Sequence, residues 1–302
     1  MSSELPRVRS ALYIPGQRAD FLAKADKRGA DAVIIDLEDS VSASGRSAAL
    51  DTTHEWIESR ADPLSPVVFV RINAVETGRL TADLETVVSP NLTGVVVPKV
   101  MGAADVRAVS EALSFLEGQR GIPQWSIAIW PLIETAVAVQ NAPEISRSSR
   151  RIAYMGGGAA DEGDLAHAIG FRWTVEAQES YYIRSKVLVD VRAAGVHNPM
   201  TGMVSSINEP EELRIFARQS KNLGYEGMMV IHPAHVEEVN RTFAPTEEEY
   251  RAATGVLAAL AEADSRGSAA VVFGGRMVDQ AMVQTCERLI REYERFQASE
   301  QR

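Results

Sequence analysis

Apolar residues gather in short runs that end at glycine, proline or a charged side chain. Such runs occupy Ser10–Ile14, Ala32–Asp36, Val67–Ile72, Gly94–Pro98, Ile127–Ile133, Ile152–Met155, Gly202–Ser205 and Met228–Ile231. Their length and their Val, Ile, Tyr and Trp content predict buried strands. Amphipathic stretches between them predict helices over Arg18–Arg28, Ser44–Arg60, Ala103–Leu116, Val175–Ala194 and Glu211–Leu223. Gly29, Gly118, Gly195 and Gly224 stand beyond four of these as stop signals, Pro63 follows another, and Asn208 precedes the last as an N-cap. Eight strands alternating with helices imply parallel βα units, and that number favours a closed (β/α)8 TIM barrel over an open doubly wound sheet. No G-x-G-x-x-G follows the first run, which weighs against a dinucleotide fold, and the glycines of Gly156–Gly158 lack that spacing.

Beyond Ile231-His232-Pro233 the pattern changes. Thr246 reads as the cap of a helix that opens on Glu247-Glu248-Glu249 and runs towards Arg266-Gly267. An apolar run, Ala269–Phe273, then Gly274-Gly275, leads to a last helix ending near Gln297. The expected organisation is a catalytic barrel over 1–242 and a C-terminal helical subdomain over 243–302, packing on the barrel or on a neighbouring subunit.

Composition narrows the partners. With 302 residues, 45% apolar, the chain can bury a full core, and a net charge of −10 argues against nucleic acid and anionic membrane surfaces. No apolar run approaches the roughly 18 residues of a spanning helix. The first nine residues lack a signal-peptide core, and the single cysteine, Cys286, has no partner for an internal disulfide. A soluble cytoplasmic protein is the expectation.

The chemistry is expected where a barrel places it, at the C-terminal ends of the strands. There the first run gives Tyr13-Ile14-Pro15-Gly16, the second Asp36-Leu37-Glu38-Asp39, the third Arg71 and the fourth Lys99. The fifth gives Glu134, the sixth Asp161 and Asp164, the seventh little and the eighth His232. Carboxylates from two strand ends make a hard oxygen site that suits Mg2+ better than zinc. His232 and His235 share a helical spacing but have no third ligand near them in sequence, so they read as packed rim histidines. Tyr181, Tyr182 and Val187–Val191 read as a helix face packed on the barrel, and Trp130 as core or pocket wall.

Several pieces carry a resemblance that spans nearly the whole chain: R-S-A-L-Y-I-P-G at Arg9–Gly16, A-D-A-V-I-I-D-L-E-D-S-V at Ala30–Val41 and V-R-I-N at Val70–Asn73. V-P-K-V at Val97–Val100, P-L-I-E-T at Pro131–Thr135 and D-L-A-H-A-I-G at Asp164–Gly170 continue it, and M-V-I-H-P at Met229–Pro233 and G-R-M-V-D at Gly275–Asp279 complete it. In their order and number these resemble the citrate lyase β-subunit family, which includes malyl-CoA and citramalyl-CoA lyases, within the HpcH/HpaI aldolase group. The resemblance implies a Mg2+-dependent carbon–carbon lyase that cleaves a short 3-hydroxyacyl-CoA, or a related hydroxy acid, to a 2-oxo acid plus acyl-CoA. It places the metal on Glu134 and Asp164, with Asp161 competing for the second position. It puts the substrate carboxylate on Arg71, with Lys99 and Glu134 beside it, and gives Glu38 and Asp39 a supporting catalytic role. It makes Asp279 a general acid/base donated by an adjacent subunit, hence a homo-oligomer, a trimer or hexamer. The alternatives are an acyl-CoA thioesterase on the same scaffold and a non-catalytic subunit that binds a metabolite or supports a complex.

Overall fold

In the computed structural model of the chain, residues 5–60, 66–157, 160 and 163–300 are described. They divide into two compact units, Met1–Phe243 and Ala244–Arg302.

The first unit is a (β/α)8 TIM barrel. Its strands are β1 (Ser10–Pro15), β2 (Ala32–Asp36), β3 (Val67–Arg71), β4 (Gly94–Val97), β5 (Ala128–Pro131), β6 (Tyr154–Gly156), β7 (Asn198–Thr201) and β8 (Gly227–Val230). They lie in the order β5-β4-β3-β2-β1-β8-β7-β6, every pairing parallel. Parallel bridges Ile129↔Ile152 and Leu132↔Gly156 join the two edge strands and close the sheet on itself. The two-residue repeat of a strand then sorts the side chains. Ala32, Ile34, Val67, Phe69, Val96 and Trp130 fill the interior, while Val33, Ile35, Val68, Val70, Val95 and Ile129 pack in a separate layer with the helices. Phe69 meets Trp130 and Tyr154 edge-on at 5.5 and 4.9 Å between ring centroids, and Trp130 stacks on Tyr154 at 5.6 Å. Trp130 is therefore core, and the barrel floor is solid.

Seven of the eight expected strands lie where the apolar runs place them, give or take one or two residues. The exception is the seventh, expected at Gly202–Ser205 and found at Asn198–Thr201. A proline argues against a central strand because it brings no N–H to the ladder, yet the Pro199 carbonyl still joins it, accepting the Glu226 N–H at 2.9 Å. Helices differ more. Arg18–Arg28 is one turn at Ala19–Leu22 and a 3-10 turn at Ala25–Lys27. The helix from Ala103 passes Gly118 and stops at Gly121, which takes the left-handed φ of 67°. The helix expected from Val175 begins at Tyr181, and Tyr181 and Tyr182 are exposed while Val187 and Val191 are buried. Asn208 is not a cap; that helix starts with Pro210 at its first turn, where a missing N–H costs nothing.

Gly156 answers to packing. Its φ is +132°, and a β-carbon there would lie 2.0 Å from the Met200 carbonyl oxygen. A side chain is excluded by both terms, so the glycine is explained without a phosphate; Gly158 lies outside the described residues.

The second unit comprises helix Glu247–Ser265, a hairpin of β9 (Ala270–Phe273) and β10 (Arg276–Asp279), and helix Val283–Glu300. Its core is Ala253, Val256, Leu260, Val278 and Cys286. Cys286 is an inert buried thiol, its pKa pushed up by burial. Thr246 caps the first helix as expected: its hydroxyl accepts the Glu249 N–H at 3.1 Å, and the Glu249 carboxylate accepts the Thr246 N–H at 2.7 Å. Thr246→Ala is expected to cost about 1 kcal/mol. Urea unfolding measures this, with faster amide exchange confined to the first turn of that helix.

Candidate active site

The strand alternation that fills the barrel with Ala32 and Ile34 turns Asp36 inward at the end of β2, and Phe69 does the same for Arg71 at the end of β3. The two residues are directly opposite in the register. Arg71 Nε and Nη2 donate to the Asp36 carboxylate at 2.6 and 2.7 Å, a bidentate pair. Its Nη1 is 2.8 Å from Glu38 Oε2 and 3.2 Å from Asp39 Oδ2. The Tyr13 ring lies beside the guanidinium, 5.2 Å from its carbon to the ring centroid. Asp36 also turns the chain after β2, accepting the N–H groups of Glu38 and Ser40 at 3.0 and 3.1 Å.

Lys99 stands two residues beyond β4 in the left-handed region, at φ 50°. Its N–H donates to Glu134 Oε1 at 2.7 Å, and its ammonium donates to Glu38 Oε1 at 2.7 Å and Asp39 Oδ1 at 3.1 Å. The same ammonium is 3.6 Å from Asp164 Oδ2. Glu134 reaches the rim from the segment after β5, two positions on from the inward-facing Leu132. Asp164 opens the short helix Asp164–Ile169. Glu134 and Asp164 thus meet on one residue. Asp161 lies outside the described residues, so only Asp164 has a position.

Electrostatics follow from crowding. Burial pushes the Glu38 carboxyl up to about 7, against the pull of Arg71 and Lys99. Burial also raises Glu134; the Lys99 N–H and Arg71 oppose the rise, and Asp164 adds to it. For Asp36 burial works the same way but loses, because the bonds from Arg71 hold that carboxyl below its usual range. Arg71 itself is driven higher by its carboxylates despite burial. The acids of this rim outnumber its cations, Arg71 and Lys99.

Beneath this layer lies a support that the strand-end reading did not reach. Asp83, fully buried, pairs with Arg46 and accepts the backbone and side-chain N–H groups of Asn73 at 2.9 and 2.8 Å. Asn73 Nδ2 also donates to the Leu37 carbonyl at 3.0 Å, tying the end of β3 to that of β2. Only Asn73, within R-I-N, carried a signal; Asp83 sits on Leu80–Val87, a helix that periodicity did not announce.

The Nε/Nη2 edge of Arg71, which a bidentate grip on a substrate carboxylate would use, is occupied by Asp36. Nη1 is the part of the guanidinium that faces the exposed Asp39. Asp279 ends β10 in the second unit, exposed, with Oδ1 accepting the Ala281 N–H at 3.0 Å. His235 is buried and His232 Nδ1 accepts the Ala234 N–H at 3.2 Å. Among the described residues no three or more His, Cys, Asp or Glu side chains form a ready-made metal cage, and no helix is long and apolar enough to cross a membrane.

The family model described as HpcH/HpaI aldolase/citrate lyase matches residues 9–233, from β1 through β8. A citrate lyase subunit beta-like protein of Deinococcus radiodurans is 36% identical over 286 residues, 94% of this chain and 96% of that protein. A (3S)-malyl-CoA thioesterase of Cereibacter sphaeroides is 29% identical over 298 residues, 99% of each. Among solved structures, the CitE protein of Mycobacterium tuberculosis in complex with magnesium, acetoacetate and coenzyme A is similar at a TM-score of 0.72. It is 27% identical, and the match covers 94% of this chain and 97% of that one. With the match running the length of the barrel, the chain belongs to the HpcH/HpaI aldolase/citrate lyase family.

Proposed function

We propose that the protein is a Mg2+-dependent carbon–carbon lyase acting on a short 3-hydroxyacyl-CoA such as malyl-CoA or citramalyl-CoA. The observation that carries this reading is the meeting of Glu134 and Asp164 at Lys99, beside Arg71. One or two carboxylates, with water and substrate oxygens, are the usual protein share of a Mg2+ site. Glu134 and Asp164 supply that share, and a buried acid held above its usual range is one that a cation would favour in its charged form.

Held by Glu134 and Asp164, Mg2+ would supply Lewis acidity to the reacting substrate. The chain's own groups do the rest. Arg71 Nη1 and the Lys99 ammonium are the cations the rim offers to the substrate carboxylate, and Asp36 fixes the guanidinium plane through its bidentate bonds. The hydroxyl gives its proton to a rim carboxylate, Glu38, whose carboxyl is pushed up to about 7, as the bond to the thioester α-carbon breaks. The hydroxyl carbon becomes the carbonyl carbon of a 2-oxo acid, and the bonding pair stays on the α-carbon as a thioester enolate. Asp279, presented by a second copy of the chain, delivers a proton to that carbon, leaving the shorter acyl-CoA. Its exposure on the hairpin favours such a role, and an obligate homo-oligomer follows from it.

The (3S)-malyl-CoA thioesterase relative favours a second reading, in which water attacks the thioester carbonyl and free CoA leaves. The two differ in products. With Mg2+ and malyl- or citramalyl-CoA, a 2-oxo acid trapped as its hydrazone, in step with acyl-CoA formation, is the expected result. Free thiol without 2-oxo acid would replace the lyase reading by the thioesterase.

A further inference from the structure

We propose that Lys99 sets the strength of divalent cation binding, its ammonium competing with the metal for the carboxylates that its own backbone helps to gather. The inference rests on the magnesium reading above.

Lys99 is one of the described residues beyond glycine with positive φ, a conformation that crowds a β-carbon against the following carbonyl. Held there, it has two handles on the site. The main-chain N–H fixes Glu134 Oε1 at 2.7 Å. The side chain crosses the rim to Glu38 at 2.7 Å and Asp39 at 3.1 Å, and stops 3.6 Å from Asp164. One residue therefore touches both carboxylates assigned to the metal, the first through its backbone and the second through its charge. An ion shared by Glu134 and Asp164 has this ammonium as a neighbour, and the two cations repel each other across a partly buried rim where screening by solvent is weak. The lysine stem is flexible and about one-third exposed, so the ammonium can leave as the metal enters. Once released from Asp164 it is free to meet the substrate carboxylate, which couples metal loading to substrate recognition.

A purely structural lysine would act in the opposite direction. If the ammonium only neutralises Glu38, Asp39 and Asp164, its removal lets those acids repel one another, the site loosens and metal binds more weakly. If it competes, its removal strengthens metal binding. The sign of the change separates the two.

The test is isothermal titration of Mg2+ into the full chain as wild type, Lys99→Met, Lys99→Gly and Glu134→Gln. Lys99→Met keeps the stem without the charge. Lys99→Gly keeps the N–H that holds Glu134 and relieves the positive φ, so it guards against misfolding of the first variant. Both are expected to bind Mg2+ about tenfold more tightly than wild type, from loss of like-charge repulsion. Unchanged or weaker binding in both, with wild-type binding abolished by Glu134→Gln, overturns the role of Lys99 and leaves the metal reading standing. Absence of any Mg2+ binding that depends on Glu134 overturns the metal reading and this inference with it.

Discussion

Glu134→Gln is expected to lower lyase turnover by about a thousandfold, equivalent to about 4 kcal/mol of transition-state stabilisation. The substitution is chosen for what it keeps. A glutamine carbonyl oxygen can still accept the Lys99 N–H that Glu134 Oε1 now accepts at 2.7 Å, so the left-handed turn after β4 retains its anchor. The charge is what disappears, and with it one of two carboxylates proposed to hold the metal. Asp164 alone, half-exposed and beside the Lys99 ammonium, is a poor site for a strongly hydrated cation. Raising Mg2+ should therefore recover little of the loss, whereas wild-type activity should vanish with EDTA and return with Mg2+. Steady-state kinetics across a Mg2+ series, with circular dichroism to confirm the fold, makes the measurement. Turnover within tenfold of wild type would remove Glu134 from the metal site.

How far such a site can be read before the fold is known depends on what kind of information each residue carries. Strand β2 was legible to the residue because all five of A-V-I-I-D are buried, and an apolar run bounded by charge has one reading. From β2 the rim followed: in a closed barrel, whatever polar residue ends a strand lies at the same mouth, so Asp36, Arg71, Lys99 and Glu134 could be named together. Their pairings could not. That Arg71 gives its bidentate edge to Asp36 depends on the register Asp36↔Arg71, which the neighbouring strands set jointly. Asp83 was out of reach because its helix opens at Arg79 without a side-chain cap and offers no start signal.

Helix Ala136–Ile145 was hidden for a different reason. It contains Pro143, which ordinarily argues against a helix interior because the Val139 carbonyl loses its donor. The structure supplies a substitute from elsewhere: Lys186 Nζ donates to the Val139 carbonyl at 2.8 Å and is itself paired with Asp190 at 2.7 Å. A local rule was broken and repaired by a residue 47 positions away, which no window of sequence contains.

Glu117→Ala is expected to destabilise the protein by about 3–5 kcal/mol, the usual cost of leaving one member of a buried ion pair uncompensated. Glu117 and Arg151 side chains are both completely shielded from solvent, joined by two parallel bonds of 2.7 Å. Each carboxylate oxygen also accepts a backbone N–H, from Ile127 at 3.0 Å and from Trp125 at 2.8 Å. Arg151 Nη1 returns a bond to the Ile127 carbonyl at 3.0 Å, and the Arg151 carbonyl accepts the Ile129 N–H at 2.9 Å. Ile129 belongs to β5 and bridges Ile152, so this pair stands at the seam where the barrel closes. Against a typical total stability of about 5–15 kcal/mol, a loss of that size brings the fold close to its threshold. Acid should act on the same pair. Burial alone would raise the Glu117 carboxyl, but its bonds from Arg151 and the two backbone N–H groups outweigh that and depress it. A carboxyl depressed in the folded state contributes fully above its unfolded value, about 4.3, and loses that contribution as pH falls through the folded one. Urea unfolding of wild type should therefore weaken below about pH 4 by more than that of Glu117→Ala. The double variant Glu117→Leu, Arg151→Met removes both charges and fills the space with apolar side chains, so it should be more stable than Glu117→Ala. If the single variant unfolds at the wild-type urea midpoint, the seam is held by the ladder and the packing around it, and the ion pair is only a passenger there.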